Sequence, residues 1–239
     1  MTTPQRIFLP LISLLAALCW STTTAAEMPE TFKNEYRTRI MGFSITAVHE
    51  LKSNSDGTQE LHFSASTWLA SLDEKTHFAW SDEGEVQPLN YSYRRRGLGR
   101  GRDHQLSFDW DEAEVSDGNG ESWPIDTEQR LQDRLSFQVQ LQKDLLQGKD
   151  TLFYQITDGG DLREYQFDIV GEERLDTTLG EVDTIKVRRS REGSDRTTNL
   201  WLAKDHNLLL VRLEQDEGGT SYTLNISKAN VNGQAIRRF

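Results

Sequence analysis

From residue 36 onward, apolar side chains recur at every second position in one short stretch after another, and this period dominates the chain. Successive residues of a β-strand point to opposite faces, so such alternation builds sheets with one buried face. Phe43, Ile45, Ala47, His49 and Leu51 alternate along one strand, and Leu61, Phe63, Ala65, Thr67 and Leu69 along the next. Ser53 to Thr58 between them has turn composition. Pairing Leu51 with Leu61 sets Ala47 opposite Ala65 and Phe43 opposite Leu69, so one register collects both apolar sets on one face.

A second hairpin is expected over 88–110. With a loop at 97–102, Tyr93 faces Leu106, Tyr91 faces Phe108 and Leu89 faces Trp110. A third runs through Leu209, Val211 and Leu213 into Gly218-Gly219 and returns as Tyr222, Leu224 and Ile226. Its Gly-Gly loop suits a tight turn with positive φ, and sets Leu213 opposite Leu224 and Val211 opposite Ile226. Further strands are expected near 73–80, 151–157, 162–174, 181–191 and 197–203.

One segment has another period. Leu131, Leu135, Val139, Leu145 and Leu146 share a helical face that Phe137 and Leu141 widen. Asp126 and Gln129 can form an N-terminal capping pair, and Gly148 supplies the stop. The expected fold is mainly β: a single strongly curved antiparallel sheet, a half-barrel or open barrel, with one main amphipathic helix over an open face or end. No linker composition or internal repeat divides the chain, so 27–239 reads as one domain.

The 239 residues suffice for a hydrophobic core, and six Trp, six Tyr and ten Phe give that core large side chains. The net charge of −11 speaks against a general nucleic-acid binder, because phosphate affinity comes from Lys and Arg. Residues 1–26 have the three parts of a secretory signal: Arg6, an apolar run from Ile7 to Trp20, and small residues up to Ala26. Cleavage is expected after Ala26, which removes the only cysteine, Cys19. Leu18 before it does not suit a lipidation site. No later apolar run reaches membrane-span length, so the expected product is an exported periplasmic protein with no disulfide and no transmembrane segment.

The most unusual local feature is basic. Arg94, Arg95, Arg96, Arg100 and Arg102 crowd one predicted loop, with Gly97, Gly99 and Gly101 between them and His104 just beyond. Guanidinium groups beside exposed backbone N–H groups can hold phosphate or carboxylate. Alternation puts Arg95 and His104 on the face of Tyr91, Tyr93, Phe108 and Trp110, with Arg94 and Arg96 on the other. The candidate site is therefore an anion rim of Arg95, Arg100, Arg102 and His104 above an apolar wall of Tyr91, Tyr93, Phe108 and Trp110. A lipid or other amphipathic anion fits that description. The alternative is a solvated hairpin tip whose arginines pair with the chain's own carboxylates.

Other chemistry has little support. The acidic run from Asp109 to Asp117 lacks the twelve-residue calcium loop. The five histidines show no metal-ligand spacing, and no G-x-S-x-G elbow occurs. His49 beside Phe63 reads as a packed histidine. No cofactor and no metal are expected, and no catalytic constellation is recognisable. The expected function is a non-enzymatic binding or carrier module. A cell-envelope assembly factor meeting a protein partner through strand edges is the alternative, and an enzyme is a third reading that no recognisable constellation supports.

Several scattered stretches also match a known pattern in order. Tyr91-Ser92-Tyr93-Arg94-Arg95 leads to Phe108-Asp109-Trp110, and Asp133-Arg134-Leu135-Ser136-Phe137 follows. Then come Val170-Gly171-Glu172-Glu173, Leu179-Gly180-Glu181, Leu200-Trp201-Leu202-Ala203-Lys204-Asp205 and Leu208 to Leu213. Over roughly 32–230 the chain resembles the exported bacterial proteins called domain of unknown function 3108. It departs from many of them in carrying Leu209-Leu210-Val211 where they have a proline. The resemblance implies a secreted, mostly antiparallel β fold, with a half-barrel like that of periplasmic lipoprotein carriers among its forms. It implies no established activity and hands over no catalytic residues.

Overall fold

The alternating stretches become strands of one sheet in a computed structural model that describes residues 27–40, 42–97, 101–126, 130–190 and 196–239. The first meander comprises β1 (Phe32–Ile40), β2 (Phe43–Ser53), β3 (Gln59–Ser66), β4 (Ala70–Trp80), β5 (Val86–Gly97), β6 (Arg102–Asp109), β7 (Glu114–Asp117) and β8 (Ser122–Pro124). The second begins with the short β9 (Leu131–Gln132) and α1 (Phe137–Leu146). It continues as β10 (Leu152–Thr157), β11 (Leu162–Thr177), β12 (Gly180–Ser190), β13 (Thr197–Ala203), β14 (Leu209–Glu217), β15 (Thr220–Val231) and β16 (Gln234–Ile236). The strand order is β8-β7-β6-β5-β4-β3-β2-β1-β15-β14-β13-β12-β11-β10-β9, so the first strand and the last long one, β1 and β15, join the two meanders. At that join Tyr36 lies opposite Ile226 and donates its hydroxyl hydrogen to the Leu210 carbonyl at 2.9 Å.

The sheet curls but does not close through its backbone ladder. Side chains bridge its two free ends. Gln132 Nε2 donates to the Val86 carbonyl at 2.8 Å, and the Val86 N–H donates to Gln140 Oε1 at 2.7 Å. Thr76 donates its hydroxyl hydrogen to Asp133 Oδ2 at 2.5 Å. The other oxygen of Asp133 accepts the N–H groups of Leu135 and Ser136 at 2.7 and 2.8 Å, which shapes the turn into α1. Burial pushes the Asp133 carboxyl up to about 6, against the pull of these bonds.

Antiparallel order sends successive turns to opposite ends of the barrel. The turns after β2, β4, β6, β11 and β13 share one end, which is solid. Leu61 and Phe78 have no exposed surface there, and Leu51 has 1%. The turns after β1, β3, β5, β7, β10, β12 and β14 share the other end, which is open. Helix α1 divides the two, burying Phe137, Val139, Leu141 and Leu145 between the free ends of the sheet.

Three expectations from the sequence are corrected. The helix starts at Phe137 rather than near Leu131, because Leu131 and Gln132 pair in parallel with Gln155 and Ile156 of β10. The proposed cap partner Gln129 lies outside the described residues. The stop at Gly148 is present: Gly148 has φ +73°, and its N–H bonds the Leu145 carbonyl at 3.0 Å.

The β2–β3 ladder holds Leu51 opposite Leu61 and Ala47 opposite Ala65, but ends at Thr46–Ser66. Phe43 does not reach Leu69, since Thr67 turns the chain there by bonding Ala70 in both directions. In the second hairpin Tyr93 faces His104 and Tyr91 faces Leu106, two residues from the expected register. The β5–β6 ladder runs out to Arg95–Arg102, so the connection lies one residue earlier in the chain than the expected 97–102 loop. A shift by two keeps every side chain on its face. The third hairpin pairs Leu213 with Leu224, its ladder beginning at Arg212–Asn225.

Candidate functional site

The open end is hollow. A cavity of about 610 Å³ lies above α1, walled by inward positions of both meanders. Phe137 and Leu141 form part of its floor; Ala47, Phe63, Leu200, Leu213 and Leu224 supply apolar wall. Its charged lining is one-sided in a chain of net charge −11: Arg95, Arg134, Arg163, Arg189 and Arg196 against the single acid Glu74.

Each arginine occupies an inward position of its segment or a turn at the open end. Arg189 lies opposite Phe167 and Thr198 in the ladders, stacks 4.3 Å from the Tyr165 ring centre, and donates to Thr198 Oγ1 at 3.3 Å. It has no carboxylate within ion-pair distance among the described residues. Burial lowers its affinity for its proton, against the attraction of Tyr165. Arg196 pairs with Glu217 at 3.6 Å. Arg134 lies 5.5 Å above the Tyr93 ring. Arg95 makes no ion pair among the described residues and is exposed at the cavity's edge.

Glu74 is held by the Tyr91 hydroxyl, which donates to Oε1 at 2.5 Å. Burial pushes its carboxyl up to about 7, opposed by that bond and by Arg134. Polar atoms also sit deeper in the cavity. Asn34 and His49 are ladder partners on β1 and β2; both line the cavity, and among the described residues the Asn34 amide and His49 Nε2 have no partner within good hydrogen-bond geometry. Asn34 is fully buried and His49 is 7% exposed, and burial holds the imidazole at about 4, so it is neutral near pH 7. Buried polar groups nearly always have a partner, and these atoms are exceptions enclosed beneath the cavity wall.

A second charged cluster lies behind the cavity wall. Asp158, in the turn after β10, has a side chain only 5% exposed. Its carboxylate faces Arg102 at 3.7 Å, His104 at 3.5 Å, Arg134 at 3.6 Å and Arg163 at 3.7 Å. Arg102 and His104 come from β6, near one free end of the sheet; Asp158 and Arg163 come from the other. The cluster therefore fastens the open end, as the Gln132–Val86 bond fastens the middle. Trp123 of β8 packs against the same turn, where a Cβ on Gly160 would lie 2.8 Å from its indole nitrogen. Burial lowers the His104 affinity for its proton, against the pull of Asp158.

The residues picked out from sequence thus separate. Arg95 and Tyr93 line the cavity. Arg102 and His104 face Asp158 instead, because the β5–β6 register and the turn after β10 bring them together. Arg100 lies outside the described residues. Tyr91 and Phe108 belong to the solid core with Leu106 and Val115, and Trp110 packs on that core while donating to the Pro88 carbonyl at 2.7 Å. Those three are not cavity wall: strand β6 runs toward the closed end, where inward positions meet other side chains. The outward Arg96 pairs with Asp103 through both guanidinium nitrogens. Sequence reasoning missed Arg134, Arg163, Arg189 and Arg196. Their one local signal was a charge on the inward parity of an apolar strand, as in Arg163, Tyr165 and Phe167. No group of three or more His, Cys, Asp or Glu suited to a metal occurs among the described residues.

Among solved structures, the chain is similar to a crystal structure of a β-barrel-like protein of domain of unknown function DUF1849 from Brucella abortus. The match has TM-score 0.55 and 10% identity, and covers 84% of this chain and 97% of that one. That likeness concerns the fold. No curated protein sequence matches the chain. The model of the family described as protein of unknown function (DUF3108) matches residues 35–226, and with the order of motifs and the open barrel in place, the chain belongs to that family.

Proposed function

We propose that the protein is a non-enzymatic binding or carrier module for an amphipathic anion such as a lipid, exported to the periplasm by its first 26 residues. The observation that carries this reading is the cavity: about 610 Å³, apolar in most of its wall, with five arginines against one glutamate in its lining. Sites for small molecules are mostly apolar hollows of about 300–1,000 Å³ with a few placed polar groups. An apolar chain would rest against Phe63, Leu200, Leu213 and Leu224. Its carboxylate or phosphate would meet Arg95 and Arg189, which no carboxylate engages among the described residues.

The test is native mass spectrometry of the protein recovered from cells, followed by lipid extraction. Wild type is expected to carry an acidic lipid that Arg95→Ala/Arg189→Ala carries at less than a tenth of that occupancy, on the scale of two lost charge-assisted bonds. Equal occupancy in both proteins, or no extractable lipid in either, overturns the reading.

A second reading, an envelope assembly factor, has one observation in its favour. Beyond Leu162–Phe167, β11 pairs among the described residues only with β12, so residues 168–177 present a free edge that includes exposed Ile169 and Val170. A free edge can accept a partner's strand. Glu172, Glu173 and Asp176 on the same stretch are the charges by which edges usually avoid such pairing.

A further inference from the structure

The rim of the open end is not uniform. Between β2 and β5 it carries three large apolar side chains that also line the cavity mouth: Phe43 at 48% exposed, Trp68 at 81% and Leu69 at 39%. Scattered exposed apolar residues are ordinary, but here two adjacent turns gather them at one opening. The Trp68 turn is built rather than slack. Thr67 Oγ1 accepts the N–H groups of Leu69 and Ala70 at 3.2 and 3.0 Å, and the Thr67 N–H donates to the Ala70 carbonyl at 2.7 Å. The turn is also pressed against the end of β5. A Cβ on Gly97, which has φ +76°, would lie 1.9 Å from the Leu69 carbonyl oxygen, so only glycine fits there.

The same sector is basic. Arg39 at the end of β1 and Arg95 at the end of β5 are exposed and make no ion pair among the described residues; the exposed Arg94 stands between Asp73 and Asp103 in the ladders, with Asp103 held by Arg96. The basic sector ends at the neighbouring β14–β15 turn, beside β1, which is flanked by exposed Asp216 and by Glu217 in its pair with Arg196. Indole rings settle at the boundary between headgroups and acyl chains, and arginines beside them meet anionic headgroups.

We infer that the Phe43–Trp68–Leu69 rim docks onto an anionic lipid surface, with Arg39, Arg94 and Arg95 against the headgroups and the cavity mouth facing the membrane. Charge complementarity and continuity with the apolar mouth favour this occupant over a protein. The inference does not require the cavity to be loaded. The test is flotation with phosphatidylcholine vesicles and with vesicles that also contain phosphatidylglycerol, applied to the protein as recovered from cells. Wild type is expected to float with the phosphatidylglycerol vesicles. Trp68→Ser/Leu69→Ser should weaken that partitioning about tenfold or more, through lost apolar insertion. Arg39→Glu/Arg94→Glu should abolish the preference for the anionic lipid. The inference is overturned by three results: no flotation of wild type, variants that float like wild type, or a rim that crosslinks to a protein or a second copy while vesicle binding is absent. Because vesicle binding and extracted lipid are read separately, failure here leaves the cavity reading standing, and the reverse also holds.

Discussion

The two ends of this barrel are made from the same strands in the same alternating pattern, yet one is packed solid and the other is hollow. At the closed end the inward positions of β2, β3 and β4 are Leu51, Leu61 and Phe78, which meet one another and the N-terminal side of α1 with almost no exposed surface. Further along β1, β2, β4 and β5 the inward positions become Asn34, His49, Glu74 and Arg95. Charged and polar groups cannot fill a dry interior without partners, so the strands there stand around a space. Inward parity fixes which way a side chain points. Whether that direction leads to a core or a cavity depends on what arrives from the opposite wall.

Truncation should separate the two ends most clearly. Phe78→Ala at the closed end should cost about 3–5 kcal/mol in denaturant unfolding, because it leaves a cavity in packed surroundings. Leu213→Ala at the open end should cost about 1 kcal/mol, because one side of that leucine already faces open space. Equal losses at the two ends would mean that the hollow is not there. Asp158→Ala comes next. It removes the shared anion of Arg102, His104, Arg134 and Arg163 and should cost about 2–4 kcal/mol, below the full value for a buried pair because Arg102 is half exposed. Amide exchange should then rise first in the turn after β10 and in β6. Uniform exchange would argue against the clasp.

Glu74 offers a finer probe. Its carboxyl is raised from 4.5 to about 7 in the folded protein, so the folded state binds more protons than the unfolded chain between those values. Its contribution to stability is therefore complete below 4.5 and is lost as pH rises through about 7. Glu74→Gln should lack this loss and gain about 1–2 kcal/mol on wild type at the upper end of the window. His49, lowered from 6.5 to about 4, acts in the opposite sense, so the difference between variant and wild type is the quantity to follow in melts across pH. The smallest effect is expected at Arg95→Ala, within about 0.5 kcal/mol in stability, since its guanidinium holds nothing in the fold.

Much of the first region was legible in the sequence. Alternation located the strands, and the pairings Leu51–Leu61, Ala47–Ala65 and Leu213–Leu224 followed from collecting apolar residues on one face. The β5–β6 register differs by two from the apolar matching because a glycine-rich turn does not fix its own position, and a slip of two leaves every face unchanged. The helix is shorter than its apolar period suggests because Leu131 satisfies a helical period and a strand equally well. The open end was far less legible. Arg134, Arg163, Arg189 and Arg196 lie on segments far from Arg95 in the chain, and only the curl of the sheet brings them to one mouth. Asp158 likewise carries no local sign that it will hold Arg102 and His104. The arginine-rich stretch was visible at once; that its members divide among a cavity, a clasp and an outer surface is a property of the closed shape.

The central claim is that the hollow end takes an apolar chain with an anionic head. Isothermal titration of the protein with dodecanoate and with dodecanol tests it most directly. The account predicts saturable one-to-one binding of dodecanoate, at least about tenfold weaker binding of dodecanol, and loss of that discrimination in Arg95→Ala/Arg189→Ala, on the scale of a charge-assisted bond. Equal binding of the two chains, or no saturable binding of either, would contradict it.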